Sequence, residues 1–192
     1  MPPMPEGAEE GILKGLYRFK EAPDGDGDRP RVHLLGSGSI LREALRAQEI
    51  LSRYGIAADV WSATSYKELR REALEADRWN LLHPDEEPRK PYVVNLFEGD
   101  DAPIIAVSDY LKLVPDQIAR WLPGRLYSLG TDGFGRSDTR EALRRFFEID
   151  AEHIAVAALH QISRRCRIDH ALPGRAIREL GVDPEKLDPL VS

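Results

Sequence analysis

GTDGFGRSDTR, residues Gly130–Arg140, is the stretch on which the interpretation of this sequence depends. The apolar run Leu126–Leu129 before it is typical of a strand, and Glu141–Phe147 after it is typical of a helix. Three glycines within six residues allow positive φ or a very close approach of another backbone segment. The stretch therefore predicts a tight strand-to-helix turn at the carboxyl end of a strand.

The end of this turn carries a capping pattern. Asp138 and Glu141 have the spacing of a capping box, with Ser137 as a competing N-cap. A helix that begins there directs free N–H groups towards the loop, beside Arg136, which is compatible with an anion site or a docking surface. The residues alone favour the simpler alternative, a well-capped turn without a ligand.

The rest of the chain alternates predicted strands and helices. Strands are predicted at 32–35, 58–62, 91–97, 102–107 and 126–129. Helices are predicted at 40–54, 65–74, 117–121, 138–147, 151–164 and 173–180. This order predicts an α/β fold of three layers, in which a mostly parallel sheet of about five strands has helices on both faces. We expect the strand at 91–97 near the centre of the sheet and Asp59 at an edge or end position.

Two glycine-rich turns are expected at one edge of this sheet. Gly36–Ser39 follows the first predicted strand and Gly130–Ser137 follows the last. If both strands are parallel, both turns lie at the carboxyl edge, where α/β sheets bind their ligands. The first turn has Leu41 in place of the third glycine of a dinucleotide fingerprint, so an ordinary strand-to-helix turn is favoured there.

Composition and charge are those of an ordinary globular domain. The chain has 192 residues, of which 42% are apolar and 31% charged, enough for one domain with a substantial core. Its net charge of −6 argues against nucleic acid as the main partner. The single cysteine, Cys166, excludes an internal disulfide and a multi-cysteine metal site. Without a visible signal peptide or membrane-spanning run, we expect a cytoplasmic protein with no membrane partner.

His83 is the histidine with the most specific setting. It precedes Pro84, which favours an extended backbone and therefore a fixed, displayed imidazole. Such a side chain can donate a hydrogen bond to a substrate or a partner, although it more often ties down its own loop.

Five segments of the chain carry a resemblance to a known family. They are MPEGAEEGILKGLY (Met4–Tyr17), LLGSGSILREA (Leu34–Ala44), RWNLLHP (Arg78–Pro84), SDYLKLV (Ser108–Val114) and GTDGFGRSDTR (Gly130–Arg140). In this order they resemble the last domain of the homodimeric bacterial pyruvate dehydrogenases, the thiamine-dependent first component of the multienzyme complex. The resemblance implies a transketolase C-terminal-like domain at residues 31–192.

The same resemblance implies that residues 1–30 are a linker segment from a preceding domain. Ile12, Leu13, Leu16, Tyr17 and Phe19 are expected along one side of a short helix that three glycines weaken. In the family, other domains and the second subunit help to bury these side chains, so we expect this apolar segment to self-associate or to bind a partner.

The activity implied by the resemblance is oxidative decarboxylation of pyruvate with acetyl transfer to a lipoyl group. Thiamine diphosphate and magnesium bind in that family between the two preceding domains, so no catalytic residue and no metal ligand is transferred to this chain. The chain is then a C-terminal domain or split subunit, inactive alone. Its implied partners are the thiamine-binding domains, the second subunit of a homodimer and the dihydrolipoyl acetyltransferase. Candidate residues at the interface or active-site entrance are Asp132, Gly133, Phe134, Gly135, Arg136, Ser137, Asp138 and His83.

Two other functions stay open at this level. The chain can be a free-standing interaction or regulatory module derived from such a domain. It can also be a small phosphate- or nucleotide-binding protein that uses the two glycine-rich turns, although no general base and nucleophile stand at a convincing spacing.

The acidic loop near the amino terminus contains two misleading patterns. Gly25–Gly27 imitates the start of the thiamine diphosphate motif, but the expected Asn pair about one helix later is missing. Asp24, Asp26 and Asp28 imitate an EF-hand, but Leu35 occupies the position of the bidentate Glu. We interpret both patterns as accidents of composition.

Overall fold

A computed structural model describes residues 4–23, 29–165 and 168–192. The strands within these residues are β1 (Leu16–Lys20), β2 (Arg31–Ser37), β3 (Ala57–Ala63), β4 (Ile104–Val107) and β5 (Leu126–Leu129). The α-helices are α1 (Glu9–Lys14), α2 (Leu41–Arg53), α3 (Tyr66–Leu82), α4 (Tyr92–Leu96), α5 (Leu113–Asp116), α6 (Arg140–Phe146), α7 (Ala151–Ser163) and α8 (Leu172–Glu179). The Asp24–Asp28 patterns and Cys166 lie outside the described residues.

The strands form one sheet in the order β1-β3-β2-β4-β5. β3, β2, β4 and β5 are parallel to one another, and β1 pairs antiparallel with β3 at the edge. Leu35 in the central strand has Trp61 of β3 on one side and Ala106 of β4 on the other. The predicted sheet of five mostly parallel strands is confirmed.

Alternate side chains of the central strands enter two separate cores, because successive residues of a strand point to opposite faces. Ile105 and Val107 of β4 pack in the core formed with α2, α7 and α8. Ile104 and Ala106 pack in the core formed with α3 and α4. Helices therefore cover both faces, as the sequence predicts, and β4 is apolar along its whole length for this reason.

The segment at 91–97 is a helix, and the prediction of a central strand there is wrong. Pro91 is the N-cap of α4, and its carbonyl accepts the N–H groups of Val94 and Asn95. Val93 and Phe97 are buried whereas Asn95 between them is exposed, which fits a helix, because a strand would place all three side chains on one face. An apolar run of this length does not distinguish the two structures by itself.

The predicted linker at residues 1–30 contributes a strand to the sheet. Leu16 to Lys20 form β1, and Leu16 is fully buried. The prediction that the apolar residues from 12 to 19 line one side of a single short helix is therefore wrong. Gly15 separates α1 from β1 with φ of 100°, and its carbonyl accepts the N–H groups of Thr64 and Ser65. The ordered sheet therefore begins before the predicted domain boundary, while Leu13 remains exposed.

Helix α3 is longer than predicted. It runs to Leu82 instead of ending at residue 74, because the chain from Ser65 to His83 contains neither glycine nor proline. Ser65 is its N-cap, as predicted, and accepts the N–H of Glu68. The helix ends at the residue before His83, whose following proline disfavours helical backbone.

On the face of the sheet that α2 and α7 cover, a buried carboxylate joins three helices. Glu43 of α2 accepts hydrogen bonds from Arg144 of α6 at 2.8 Å, from Arg46 at 2.8 Å and from the backbone N–H of Ala151 at 3.2 Å. The third bond satisfies a free N–H in the first turn of α7. Glu43 therefore fixes α6 and α7 against the start of α2.

We predict that Glu43→Ala lowers the free energy of unfolding by about 2–3 kcal/mol, because Arg144 and the Ala151 N–H lose their acceptor in a buried place. The control is Arg46→Ala, which removes an exposed partner of the same carboxylate and should cost less than about 1 kcal/mol. Urea denaturation measures both variants. Equal effects would contradict the role assigned to Glu43.

Candidate functional site

The turns after β2, β4 and β5 meet at the carboxyl edge of the sheet. Ser37 donates from Oγ to Ser108 Oγ at 3.2 Å, and Ser39 donates to Asp109 Oδ2 at 3.3 Å. Thr131 donates from Oγ1 to the carbonyl of Asp109 at 3.1 Å. The two glycine-rich turns therefore lie on one edge, as the sequence predicts, and the turn after β4 bridges them.

The loop after β5 begins with a close backbone contact. A Cβ added to Gly130 would lie 2.6 Å from both the Lys112 N and the Tyr110 O, so only glycine fits there. Thr131 N–H donates to the Tyr110 carbonyl at 2.9 Å, and Asp132 Oδ2 accepts the N–H of Lys112 at 3.1 Å. Asp132 thus acts as a local brace between two loops.

The middle of the loop packs against the carboxy-terminal tail. Gly133 has φ of 109°, and a Cβ there would lie 2.1 Å from the Pro189 carbonyl oxygen. Gly135 has no positive φ, and a Cβ there would meet no atom within 4 Å. The expectation that the glycines serve positive φ or close approach therefore holds for Gly130 and Gly133 and is wrong for Gly135.

The helix cap differs from the sequence prediction. Thr139 is the N-cap of α6 and accepts the Ala142 N–H on Oγ1 at 3.2 Å. Asp138 instead accepts the N–H of Thr139, and both Ser137 and Asp138 are exposed. The predicted capping box from Asp138 to Glu141 is therefore wrong, because the N-cap is Thr139, one residue after Asp138.

Exposed side chains surround the loop. Phe134 is 82% exposed, and the Arg136 guanidinium lies 4.1 Å from the centre of the Phe146 ring. Arg136 thus stacks on the aromatic ring at the carboxyl end of α6. Large apolar side chains are also exposed on the neighbouring segments. We define the loop patch as Tyr110, Leu111, Leu113, Phe134, Leu190 and Val191.

A groove of about 460 Å³ runs between the first turn, the loop and α6. Its polar rim consists of Ser39, Asp109, Arg136, Arg140 and Arg144. Arg144 is held by Glu43, whereas neither Arg136 nor Arg140 has an ion-pair partner within the described residues. The loop patch is apolar and this rim carries three arginines, a combination that is suited to contact with another protein surface.

His83 lies away from this site. It caps the carboxyl end of α3, which begins after the carboxyl end of β3 and runs back towards the amino edge. Its Nδ1 lies 2.9 Å from the Trp79 carbonyl, and its ring stacks on the Trp79 ring with centres 4.5 Å apart. The structure brings residues 132–138 together at one edge and places His83 towards the opposite one.

A buried polar cluster at the amino edge was not predicted from the sequence. His33 and Asp59 are paired in register on β2 and β3, and each is 3% exposed, so the expected edge or end position of Asp59 is wrong. Trp61 donates its indole N–H to His33 Nδ1 at 3.2 Å. His33 Nε2 therefore carries the proton and donates to Asp100 at 2.9 Å. A polar residue inside an apolar strand was the available signal for this cluster.

The Asp100 carboxyl is strongly stabilised as the anion. Burial alone would raise its pKa, but the hydrogen bonds from His33 and the Ala102 N–H, with the charge of Arg125, lower the pKa to about 2. Arg125 is itself placed by Asp100 and by the carbonyls of Phe97 and Ala102. This cluster joins the starts of β2 and β4 and fills a structural role.

The magnesium and thiamine diphosphate implied by the resemblance find no ligand set here. Across residues 4–23, 29–165 and 168–192, no three His, Cys, Asp or Glu side chains stand close enough to hold a metal ion. Within the same residues, no helix is long and apolar enough to cross a membrane.

An α/β domain built on a five-stranded, mostly parallel sheet in the order β1-β3-β2-β4-β5 is the class that this geometry defines. The sequence model of the transketolase-like TK C-terminal domain matches residues 15–150. The chain therefore belongs to the transketolase-like C-terminal domain family.

Curated relatives match almost the whole chain. The pyruvate dehydrogenase E1 components of Pseudomonas aeruginosa and Escherichia coli K12 are each 48% identical over 191 residues, which is 98% of this chain. That of Mycolicibacterium smegmatis is 43% identical over 184 residues. This chain spans about a fifth of the length of these relatives (21%, 21% and 20%).

Solved structures agree on the fold. Transketolase from Leishmania mexicana superimposes with a TM-score of 0.59 at 18% identity, over 85% of this chain and 20% of that one. Transketolase from Campylobacter jejuni gives 0.53 at 17% identity, over 83% of this chain and 20% of that one. At these identities the likeness concerns the fold alone.

We predict that Gly133→Val lowers the free energy of unfolding by at least about 2 kcal/mol, because the positive φ and the Pro189 carbonyl both exclude a branched side chain. The matched control is Gly135→Val, which should change stability by less than about 0.5 kcal/mol at an open surface position. Thermal unfolding measures both. A Gly135→Val variant that melts as early as Gly133→Val would contradict this account of the loop.

A second prediction concerns acid stability. Because the folded pKa of Asp100 lies below its ordinary value, its contribution is complete above about pH 4 and is lost as the pH falls towards 2. Asp100→Asn should therefore lower stability near pH 6 and flatten the loss between about pH 4 and pH 2. Urea denaturation across this range is the measurement, with Asp85→Asn, which changes an exposed carboxyl, as the control. Parallel pH profiles for wild type and Asp100→Asn would refute the assignment.

Proposed function

We propose that this chain is the C-terminal domain, or a split subunit, of a thiamine diphosphate-dependent pyruvate dehydrogenase that acts in the cytoplasm. The observation that carries the proposal is the 48% identity to pyruvate dehydrogenase E1 components over 98% of the chain. All five segments quoted above lie within that length. The chain then supplies about a fifth of an enzyme whose cofactor is bound by other domains.

The chemistry of such an enzyme belongs to the cofactor. Thiamine diphosphate, held with magnesium outside this chain, supplies the electron sink for decarboxylation of pyruvate and for acetyl transfer to a lipoyl group. The residues of this chain bind and orient neighbouring domains and supply no group to the reacting atoms. We therefore expect the chain to be inactive alone.

The loop patch and the rim of the groove are the proposed contact surface. Phe134 and Tyr110 offer large apolar areas on a backbone that Gly130 and Gly133 hold in one conformation. Arg136 and Arg140 are cations at the rim without ion-pair partners in the described part of the chain. Aromatic side chains on a rigid backbone are favourable interface anchors, because little conformational entropy is lost when they are covered, and arginine is likewise enriched among the residues that dominate binding energy.

The partners of this surface are the thiamine-binding domains of the same enzyme and, beyond them, the second subunit of a homodimer. The dihydrolipoyl acetyltransferase is a third proposed partner, through the assembled enzyme. Ser137 and Asp138 are exposed beside the loop and belong to the polar border of this contact.

The test is a chimaera in which this chain replaces the matching carboxy-terminal fifth of the Pseudomonas aeruginosa protein. We expect pyruvate-dependent reduction of an artificial electron acceptor by the chimaera, and none by the isolated chain or by the protein without that fifth. Phe134→Asp combined with Arg136→Glu should lower the activity of the chimaera at least tenfold while the isolated variant melts like its parent.

Two outcomes would overturn the proposal. One is a folded chimaera that binds thiamine diphosphate and has no activity. The other is micromolar binding of thiamine diphosphate and magnesium by the isolated chain in calorimetry, since the cofactor would then have a site within this domain.

A further inference from the structure

The carboxyl end of α3 and the segment after it project from the domain. Every residue from Leu81 to Lys90 is exposed, before the chain returns to the core at the buried Pro91. Leu81 is 78% exposed and Leu82 is 55% exposed. We call residues 78–90 the arm. It lies at the amino edge of the sheet, because α3 runs back from the end of β3 and α4 then leads to the start of β4.

The arm is held by contacts within itself. Asn80 donates from Nδ2 to the Arg89 carbonyl at 3.0 Å and accepts the Arg89 N–H on Oδ1 at 2.8 Å. The Trp79 ring lies between the stacked His83 ring and the Arg89 guanidinium, which is 4.0 Å from the ring centre. His83 thus ties its own segment down, the role that the sequence favours for it.

The base of the arm is fastened to the domain. Lys90 pairs with Glu98, and the Lys90 carbonyl accepts the Asn95 side chain. On the helix side, Asp77 accepts the indole N–H of Trp121. A fastened base and a braced tip give two adjacent leucines a fixed, solvent-exposed position without support from either core.

The charges of the arm indicate the chemistry of its partner. Asp85, Glu86 and Glu87 form no ion pair within the described residues. Lys90 at the base pairs with Glu98, and the Arg89 guanidinium lies on the Trp79 ring, outside the tip at residues 81–87. The exposed tip therefore combines an apolar pair with three free carboxylates. A second arm would bring like charges together, which disfavours a symmetric contact between two copies. The complementary surface is an apolar recess with a basic rim.

We propose that the arm docks into such a recess on the part of the enzyme that lies outside this chain, the four fifths of the relatives' length that this chain does not span. This inference rests on the proposed function, and it adds a second contact at the edge opposite the loop patch. The ordered arm loses little conformational freedom on docking, and burial of both leucines supplies the apolar contribution.

The experiment is hydroxyl-radical footprinting of the chimaera described above and of the isolated chain, with labelling of Trp79, Leu81 and Leu82 compared with Phe134 of the loop patch. We expect labelling of the arm to fall at least fivefold in the chimaera. Leu81→Asp with Leu82→Asp should lower the melting temperature of the chimaera and leave that of the isolated chain unchanged. The control, Leu81→Met with Leu82→Met, keeps the apolar surface and should behave like the parent.

The results separate the two proposals. Protection of Phe134 with full labelling of the arm would overturn the docking of the arm and leave the proposed function standing. Full labelling of both would overturn the docking of the arm together with the contact surface assigned to the loop patch, and loss of activity in the same chimaera would overturn the proposed function itself. Protection of the arm in the isolated chain that rises with concentration would assign the recess to a second copy and overturn the inference.

Discussion

The Glu43 carboxylate is the constraint on which the loop-bearing edge depends. A buried carboxylate is strongly destabilising unless several donors satisfy it, and removal of one partner leaves an uncompensated charge. Here the donors come from the side chain of Arg144 in α6 and the backbone of Ala151 in α7. The chain must therefore return to the start of α2 directly after the loop, which fixes one end of residues 130–139.

The other end of the loop is fixed by backbone proximity. Gly130 lies against Tyr110 and Lys112, and Gly133 lies against Pro189 of the tail. These contacts use main-chain atoms and the Asp132 side chain. Phe134 and Arg136 are consequently left outside the fold, where they contribute little to its stability and are free for contact with another surface. The division between a braced backbone and exposed side chains is what distinguishes this loop from an ordinary strand-to-helix turn.

The sequence predicts the layers well and the exceptions have identifiable causes. β4 is buried on both faces, so its continuous apolar run is visible without knowledge of the fold. The run at 91–97 looks the same and becomes α4 because Pro91 starts a helix and the core accepts Val93 with Phe97. β1 could not be predicted from its own residues, since the edge of β3 supplies its pairing. The position of the candidate site at the carboxyl edge could be predicted from the sequence. The separate roles of Gly133 and Gly135 could not, because Gly133 packs against Pro189, which is distant in sequence.

The burial of polar side chains was the feature least predictable from the sequence. His33 and Asp59 become neighbours only when β2 and β3 take their observed register, and Asp100 reaches His33 from a loop. This cluster fastens the amino edge of the sheet, just as Glu43 fastens the carboxyl edge. Each edge is thus held by its own buried polar group, and the β4 strand that runs between them is apolar along its whole length. Under the proposed function, contacts at the loop patch and at the arm, which lie at opposite edges of the sheet, would together fix the orientation of the whole domain. Accurate placement of neighbouring domains is a use for which no reactive side chain is needed.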